Sequence, residues 1–203
     1  MLEYEAKAFL NNAGLPVPRG TFFKAGSSPS SSSMMFPLVA KVSGEKIVSK
    51  SETGGVTTGI ANEEELKQAV ASLMLIPGAE GVLVEEMAPR GIEVIIGGAI
   101  DPEFGPVIMF GLGGVYVELL KDIVFGMAPL DEKSARWLIG QIKSRKLLEG
   151  YRGSRPADTG SLIRMLITVS ELMTAGRFRE IDLNPVALYP AGALILDAKI
   201  ALL

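Results

Sequence analysis

The chain has 203 residues, a formal net charge of −3 and neither cysteine nor histidine. Those two absences exclude a within-chain Ser-His-Asp or Cys-His pair, a Cys/His zinc site and a disulfide framework. The slightly acidic balance argues against a general nucleic-acid surface, and no stretch approaches 18 uninterrupted apolar residues, so no membrane span is expected. Met1 to Leu10 carries Glu3 and Glu5 in place of a basic-then-apolar leader, which points to a cytoplasmic protein.

In chain order, Leu2 to Ala13 carries apolar residues near helical spacing, and Gly14 with Pro16 and Pro18 stops it. Gly26 to Ser33 is a serine-dense loop. Phe36 to Val42 is a strand-like apolar run holding Lys41; Lys50 to Gly55 is a polar glycine loop; Val56 to Ile60 is a short strand. Asn62 caps a helix to about Leu75. Strands follow at Gly81 to Met87, Ile92 to Ile100, Val107 to Phe110 and Ile123 to Ala128, with a turn at Asp101 to Gly105. Asp131 opens a helix to about Ser144, and Asp158 another to about Ala175. Ile181 to Tyr189 and Ala193 to Leu202 read as a closing hairpin. Helices and hairpins are mixed, so the expected class is α+β rather than an alternating parallel array.

The familiar nucleotide fingerprints are absent. There is no Gly-Lys dipeptide for a P-loop, and Gly111-Leu112-Gly113-Gly114-Val115-Tyr116 lacks the third glycine of a dinucleotide loop. Four other features stand out. Lys41 within an apolar strand either snorkels at a strand end or meets an anion in a cleft. The loop Lys50-Ser51-Glu52-Thr53-Gly54-Gly55 is either an ordinary hairpin turn or an anion nest. Glu86 with Met87 at a strand exit, and Glu93 seven residues after Glu86, are either solvated charges or groups for an adenine edge and ribose hydroxyls. Finally, period two places Glu180, Asp182 and Asn184 on one face, with Asp197 on the returning strand. That face is either solvent-facing or an oxygen-donor set suited to Mg²⁺.

The order of these features is similar to that of an ATP-grasp nucleotide site. EAKAFLNNAGLPVP, KSETGGV, GVLVEEMAPRGIEVIIG, DPEFGPVIMFGLGGVYVELLKD, LLEGYRG and EIDLNPVALYPAGALILDAK resemble the β subunit of ADP-forming acyl-CoA synthetase over nearly the whole chain. The resemblance implies an ATP-grasp fold of two α+β subdomains with mainly antiparallel sheets, residues 1–85 covering the nucleotide and 86–203 carrying the adenine hinge and Mg²⁺ site. It implies a reversible reaction in which acyl-CoA, ADP and phosphate give acid, CoA and ATP. An α subunit would bind CoA and carry the phosphohistidine. Carried over, Lys41 and Lys50 meet nucleotide phosphates, Gly54 and Gly55 form the covering loop, Glu86 and the Met87 backbone read adenine, and Glu93 binds ribose. Asn184 and Asp197 hold Mg²⁺, and Asp182 orients the visiting phosphohistidine.

The family typically places a histidine, a second phosphoryl carrier, where this chain has Ser49. A serine hydroxyl does not replace an imidazole nucleophile without an adjacent base. Direct transfer from the partner's phosphohistidine to ADP is the simplest repair. Two other readings stay open: a degenerate nucleotide-binding or assembly subunit, and an ATP-grasp ligase that makes an acyl phosphate for another acceptor.

Overall fold

The computed structural model describes residues 1–31, 34–47, 50, 53–113 and 122–203. The chain forms two compact units. The first holds Leu2–Glu5 and Pro18–Pro89; the second holds Met1, Ala6–Val17 and Arg90–Leu203. This differs from the division at residue 85. Ala6, Leu10 and Leu15 are buried in the core of the second unit, so that segment joins the C-terminal half. The other limit falls after Pro89 rather than at the end of a strand.

Helix α1 (Glu3–Asn12) contributes its first turn to the first unit and its remainder to the second. Gly14 ends it in the left-handed region at φ 81°, and the Leu15 N–H returns to the Leu10 carbonyl at 2.9 Å. Gly is the residue that enters this conformation without a Cβ clash.

In the first unit, β1 (Gly20–Lys24), β2 (Leu38–Ser43), β3 (Val56–Ile60) and β4 (Gly81–Glu86) form an antiparallel sheet of order β1-β4-β2-β3. Strand β1 is not among the elements expected from the sequence: its exposed ends and two phenylalanines lack a clear alternation. Helix α2 (Glu63–Leu73) buries Leu66, Ala69, Val70 and Leu73, one face at helical spacing, against Leu38, Ala40, Val42 and Val82. Its N-cap is Asn62, as expected: the side-chain oxygen accepts the Glu65 N–H at 3.0 Å, and the Glu65 carboxylate accepts the Ala61 N–H at 2.8 Å.

The second unit is built on β5 (Ile92–Asp101), β6 (Gly105–Leu112), β7 (Ile123–Met127), β8 (Phe178–Leu188), β9 (Ala193–Ile195) and β10 (Ala198–Leu202). The antiparallel order is β10-β8-β5-β6-β7, with β9 also pairing β8. The expected last strand, Ala193 to Leu202, is therefore two strands separated at Leu196 and Asp197. Helices α3 (Glu132–Gln141), α4 (Arg145–Leu148) and α5 (Thr159–Thr174) belong to the same unit. The helix expected from Asp131 to Ser144 stops at Gln141, with α4 as a separate turn. Helix α5 packs Leu162, Leu166, Val169 and Met173 on one face of the sheet beside Ile96, Ile181 and Leu183. A Cβ at Gly98 would lie 2.5 Å from Met173, so this glycine permits the close approach. The fold class is α+β with antiparallel sheets, as the sequence indicated.

Asp158 ties α5 to the turn after β8. Its carboxylate accepts the N–H of Ser161 at 2.9 Å and of Gly192 at 2.9 Å, and its own N–H donates to the Tyr189 carbonyl at 2.7 Å. The backbone bonds from Ser161 and Gly192 lower its pKa to about 2. Because the folded value is depressed, the stabilisation is present above about 3.8 and is lost as pH falls toward about 2. Asp158→Ala is expected to cost about 1–2 kcal/mol in urea unfolding at pH 7. The difference from wild type should shrink measurably below pH 3 (on the order of one unit under the ordinary carboxylate value).

Candidate functional site

Each unit carries its own share of the expected residues. In the first unit, Lys41 lies on β2, where Cα pairing sets it opposite Leu83 of β4 and Val56 of β3. Its residue exposure is 8%, so the ammonium group must find partners inside the unit. It finds two carboxylates, Glu3 at 3.0 Å and Glu85 at 2.9 Å. Lys50 also pairs with Glu3, through the other carboxylate oxygen. The anion that meets both lysines in the structure is thus a side chain of the first turn of α1. No signal in the sequence joins Glu3 to lysines 38 and 47 positions away. Glu85, rather than its neighbour Glu86, is the buried member of the pair, at 1% exposure.

Gly54 and Gly55 differ in what they require. Gly54 is left-handed, at φ 66°. At Gly55 a Cβ would lie 2.6 Å from Val42 Cγ1, and its carbonyl accepts the Val42 N–H at 2.8 Å. The second glycine therefore seats the loop on β2. Ser49, Ser51 and Glu52 lie outside the described residues.

At the exit of β4, Glu86 is half-buried, and its Oε1 accepts the Met35 N–H at 3.0 Å. The Met87 N–H donates to the Pro37 carbonyl at 2.9 Å.

In the second unit, Glu93 sits exposed near the start of β5, opposite Ala187. The Gly113 N–H donates to its carbonyl at 2.7 Å, and a Cβ on Gly113 would lie 2.9 Å from the Glu93 backbone. Gly111 and Gly113 are therefore packing glycines at the end of β6; Gly114 lies outside the described residues. Beside Glu93 opens a cavity of about 640 Å³, lined among others by Arg90, Ile92, Leu112, Tyr151, Arg155 and Tyr189. Burial raises the Tyr189 phenol. Tyr151 is presented by a closed turn: its N–H donates to Ser154 Oγ at 2.9 Å, and Arg152 within it is left-handed at φ 50°. This turn is the GYRG segment, whose role the sequence left unread.

The C-terminal strands bring Asp182, Asn184 and Asp197 together. Ile181 and Leu183 point into the core against α5, so Asp182 faces the opposite side of the sheet. Lys199 is its register partner on β10 and Gly97 on β5. At Asn184 and Pro185 the β5–β8 register shifts, two residues of β8 standing against the single Ile95 of β5, which re-aims the strand. The Asn184 N–H donates to the Asp197 carbonyl at 3.2 Å, and the Leu196 N–H to the Pro185 carbonyl at 2.9 Å. The β8–β9 and β8–β10 ladders share one register, which sets Asp197 beside Asn184, as the hairpin spacing predicted. Burial raises the Asp182 carboxyl above 3.8; Lys199 opposes this, while Glu180 and Asp197 add to it. Clustered carboxylates that disfavour each other's charge suit a cation. Among the described residues no group of three or more Asp or Glu forms a complete cage. Mg²⁺ requires none, since it takes one or two carboxylates and completes its shell with waters and phosphate oxygens.

With this geometry in hand, comparison with known proteins settles the family. A family model described as an ATP-grasp domain matches residues 1–202. The subunit beta of ADP-forming acetate–CoA ligase II from Pyrococcus furiosus is 40% identical over 215 residues, covering 100% of this chain and 91% of that subunit. This chain belongs to the ATP-grasp family of ADP-forming acyl-CoA synthetase β subunits. An ADP-forming acetate–CoA ligase II of Archaeoglobus fulgidus is likewise 40% identical over 202 residues; the match covers 98% of this chain but only 30% of that longer protein. Among solved structures, a dinucleotide-forming acetyl-coenzyme A synthetase 1 of Ca. Korarchaeum cryptofilum superposes with a TM-score of 0.88 at 40% identity. The match covers 99% of this chain and 92% of that one; the complex holds coenzyme A and Mg-AMPPCP, with a phosphohistidine segment pointing towards the nucleotide binding site. Among the described residues no helix is long and apolar enough to cross a membrane.

The raised Asp182 carboxyl makes a signed prediction. A raised folded value means ionisation opposes folding; the penalty is absent below 3.8 and complete above the folded value. Asp182→Asn should therefore raise Tm at pH 7 by roughly 1–3 °C, and the gain should vanish as pH is lowered to about 3.5. Scanning calorimetry at the two pH values checks it.

Proposed function

We propose that this chain is the nucleotide-handling subunit of an ADP-forming acyl-CoA synthetase, working with an α subunit that binds CoA and carries a phosphohistidine. The observation that carries the reading is that β8 and the β9–β10 junction bring Asp182, Asn184 and Asp197 to neighbouring register positions.

In the direction of ATP formation, the N–P bond of the partner's phosphohistidine breaks and a P–O bond forms to the terminal phosphate of ADP, leaving a neutral imidazole. The protein's part in such a transfer is positioning and charge neutralisation. Lys41 and Lys50 offer ammonium groups to phosphate oxygens. Glu86 and the Met87 carbonyl accept from the adenine amino group. Glu93 accepts from ribose hydroxyls, and the cavity beside it gives room for a nucleoside. Asn184 and Asp197 would hold Mg²⁺, which when bound supplies positive charge to the phosphate oxygens. Asp182 accepts from the imidazole N–H of the visiting phosphohistidine, fixing its tautomer and orientation.

Ser49 bears on the route. With no imidazole in this chain, the phosphoryl group passes directly from the partner's histidine to ADP. Supplying the α chain and measuring acyl-CoA-dependent ATP formation tests the whole reading. Activity is expected in the native pair, and Asp182→Ala should lower it by about 10–100-fold. Silence of the native pair with restored turnover in Ser49→His would instead favour a degenerate assembly subunit. Failure to bind Mg·ADP in isothermal titration, with the α chain present, would overturn the nucleotide role itself.

A further inference from the structure

We infer that Glu3 sets the nucleotide affinity of this subunit by acting as an internal stand-in for phosphate. This rests on the reading that Lys41 and Lys50 meet nucleotide phosphates.

The geometry is confined to the first unit. The Glu3 side chain is 4% exposed, and its two oxygens are divided between two lysines: Oε1 accepts from Lys41 Nζ at 3.0 Å and Oε2 from Lys50 Nζ. Those lysine side chains are 10% and 12% exposed. A carboxylate bridging two ammonium groups reproduces what two oxygens of a phosphate would do there. Glu85 also engages Lys41, at 2.9 Å. An incoming phosphate gains Lys50 and a share of Lys41 only by taking them from a carboxylate.

Of the two carboxylates, Glu3 is the one placed to give way. Glu85 is clamped in the middle of the sheet, in register with Gly20 on one side and Val39 on the other. A Cβ on Gly20 would lie 2.7 Å from Glu85 Cγ, so β1 closes directly over that side chain. Glu3 stands in the first turn of α1, where backbone N–H groups lack intrahelical partners and a side chain can shift at small backbone cost. The exchange is therefore a carboxylate leaving Lys50 as a phosphate oxygen arrives, with no bond made or broken other than hydrogen bonds and ion pairs. Its consequence is a Kd set by competition as well as by contact: Glu3 holds both ammonium groups in the free protein and weakens nucleotide binding by the same interaction.

Glu3→Gln tests this with the full chain and its α chain. The amide keeps the shape and removes the charge, so Mg·ADP should bind about tenfold more tightly by isothermal titration. The free variant should melt below wild type, and saturating Mg·ADP should raise its Tm by more than it raises that of wild type. Glu3→Asp, which keeps the charge, should stay near the wild-type Kd. If Glu3 only braces the fold, both variants bind more weakly and neither gains the larger Tm rise; that result overturns the inference and leaves the nucleotide reading standing. No binding by any of the three proteins at millimolar Mg·ADP overturns both. Should Glu3→Gln fail to fold, hydrogen exchange of the wild-type peptide spanning residues 1–10 decides the matter: faster exchange with bound Mg·ADP supports release of Glu3, and unchanged or slower exchange overturns it.

Discussion

A charge removed from water must be paired, and Lys41 is where this chain meets that requirement. Its ammonium group sits on a central strand at 8% exposure, and isolated burial of such a group would cost far more than the net stability of a domain of this size. Glu85 from β4 and Glu3 from α1 answer it, and Glu3 in turn engages Lys50. The surrounding choices follow from that pairing. Gly20 has no side chain because Glu85 occupies the space, and Gly55 has none because the loop after Lys50 closes onto Val42. A buried ion network of this kind adds little stability over an apolar replacement, but loss of one member leaves an uncompensated charge. Its value lies in fixing two cations at a defined place on the sheet.

The second unit solves a different problem. One sheet face is given to the core, where α5 packs closely enough to require glycine at position 98. Asp182 lies on the other face. There it stands between Lys199 and Gly97, and the backbone N–H of Asn184 donates to the Asp197 carbonyl beside the irregularity in the β5–β8 ladder. Departures from ladder regularity beside a site are what allow a side chain to be re-aimed. The chain belongs to the ADP-forming acyl-CoA synthetase β-subunit family and contains no histidine.

Much of this was readable before any coordinates. Asn62 and Asp158 announced their helices because a side-chain oxygen at an N-cap is a local device, decided by residues two or three positions apart. Gly14 announced a stop for the same reason. The strands from Gly81 to Asp101 were legible from continuous apolar runs. What escaped was non-local or weakly patterned: β1, whose residues carry no period-two alternation, the division of the last strand, and the loss of Ala6–Val17 to the second unit. Those outcomes depend on what the segment packs against, which no window of sequence contains.

The candidate site divides along the same line. The sequence by itself determined the residue types: no imidazole or thiol, a lysine inside an apolar strand, paired carboxylates at a strand exit, and an Asp-x-Asn-Pro strand followed by Asp197 thirteen positions after Asn184. It determined the juxtaposition of Asn184 and Asp197 as well, because a short hairpin leaves few registers to choose from. Only the tertiary structure decided that Lys41 and Lys50 share Glu3, that Glu85 is buried while Glu86 reaches the edge, and that Asp182 is desolvated enough to resist its own charge. Ion pairing over 38 and 47 residues and the loss of water from a carboxylate are properties of packed surfaces. They come into being when sheet and helix close and have no counterpart in the order of the residues.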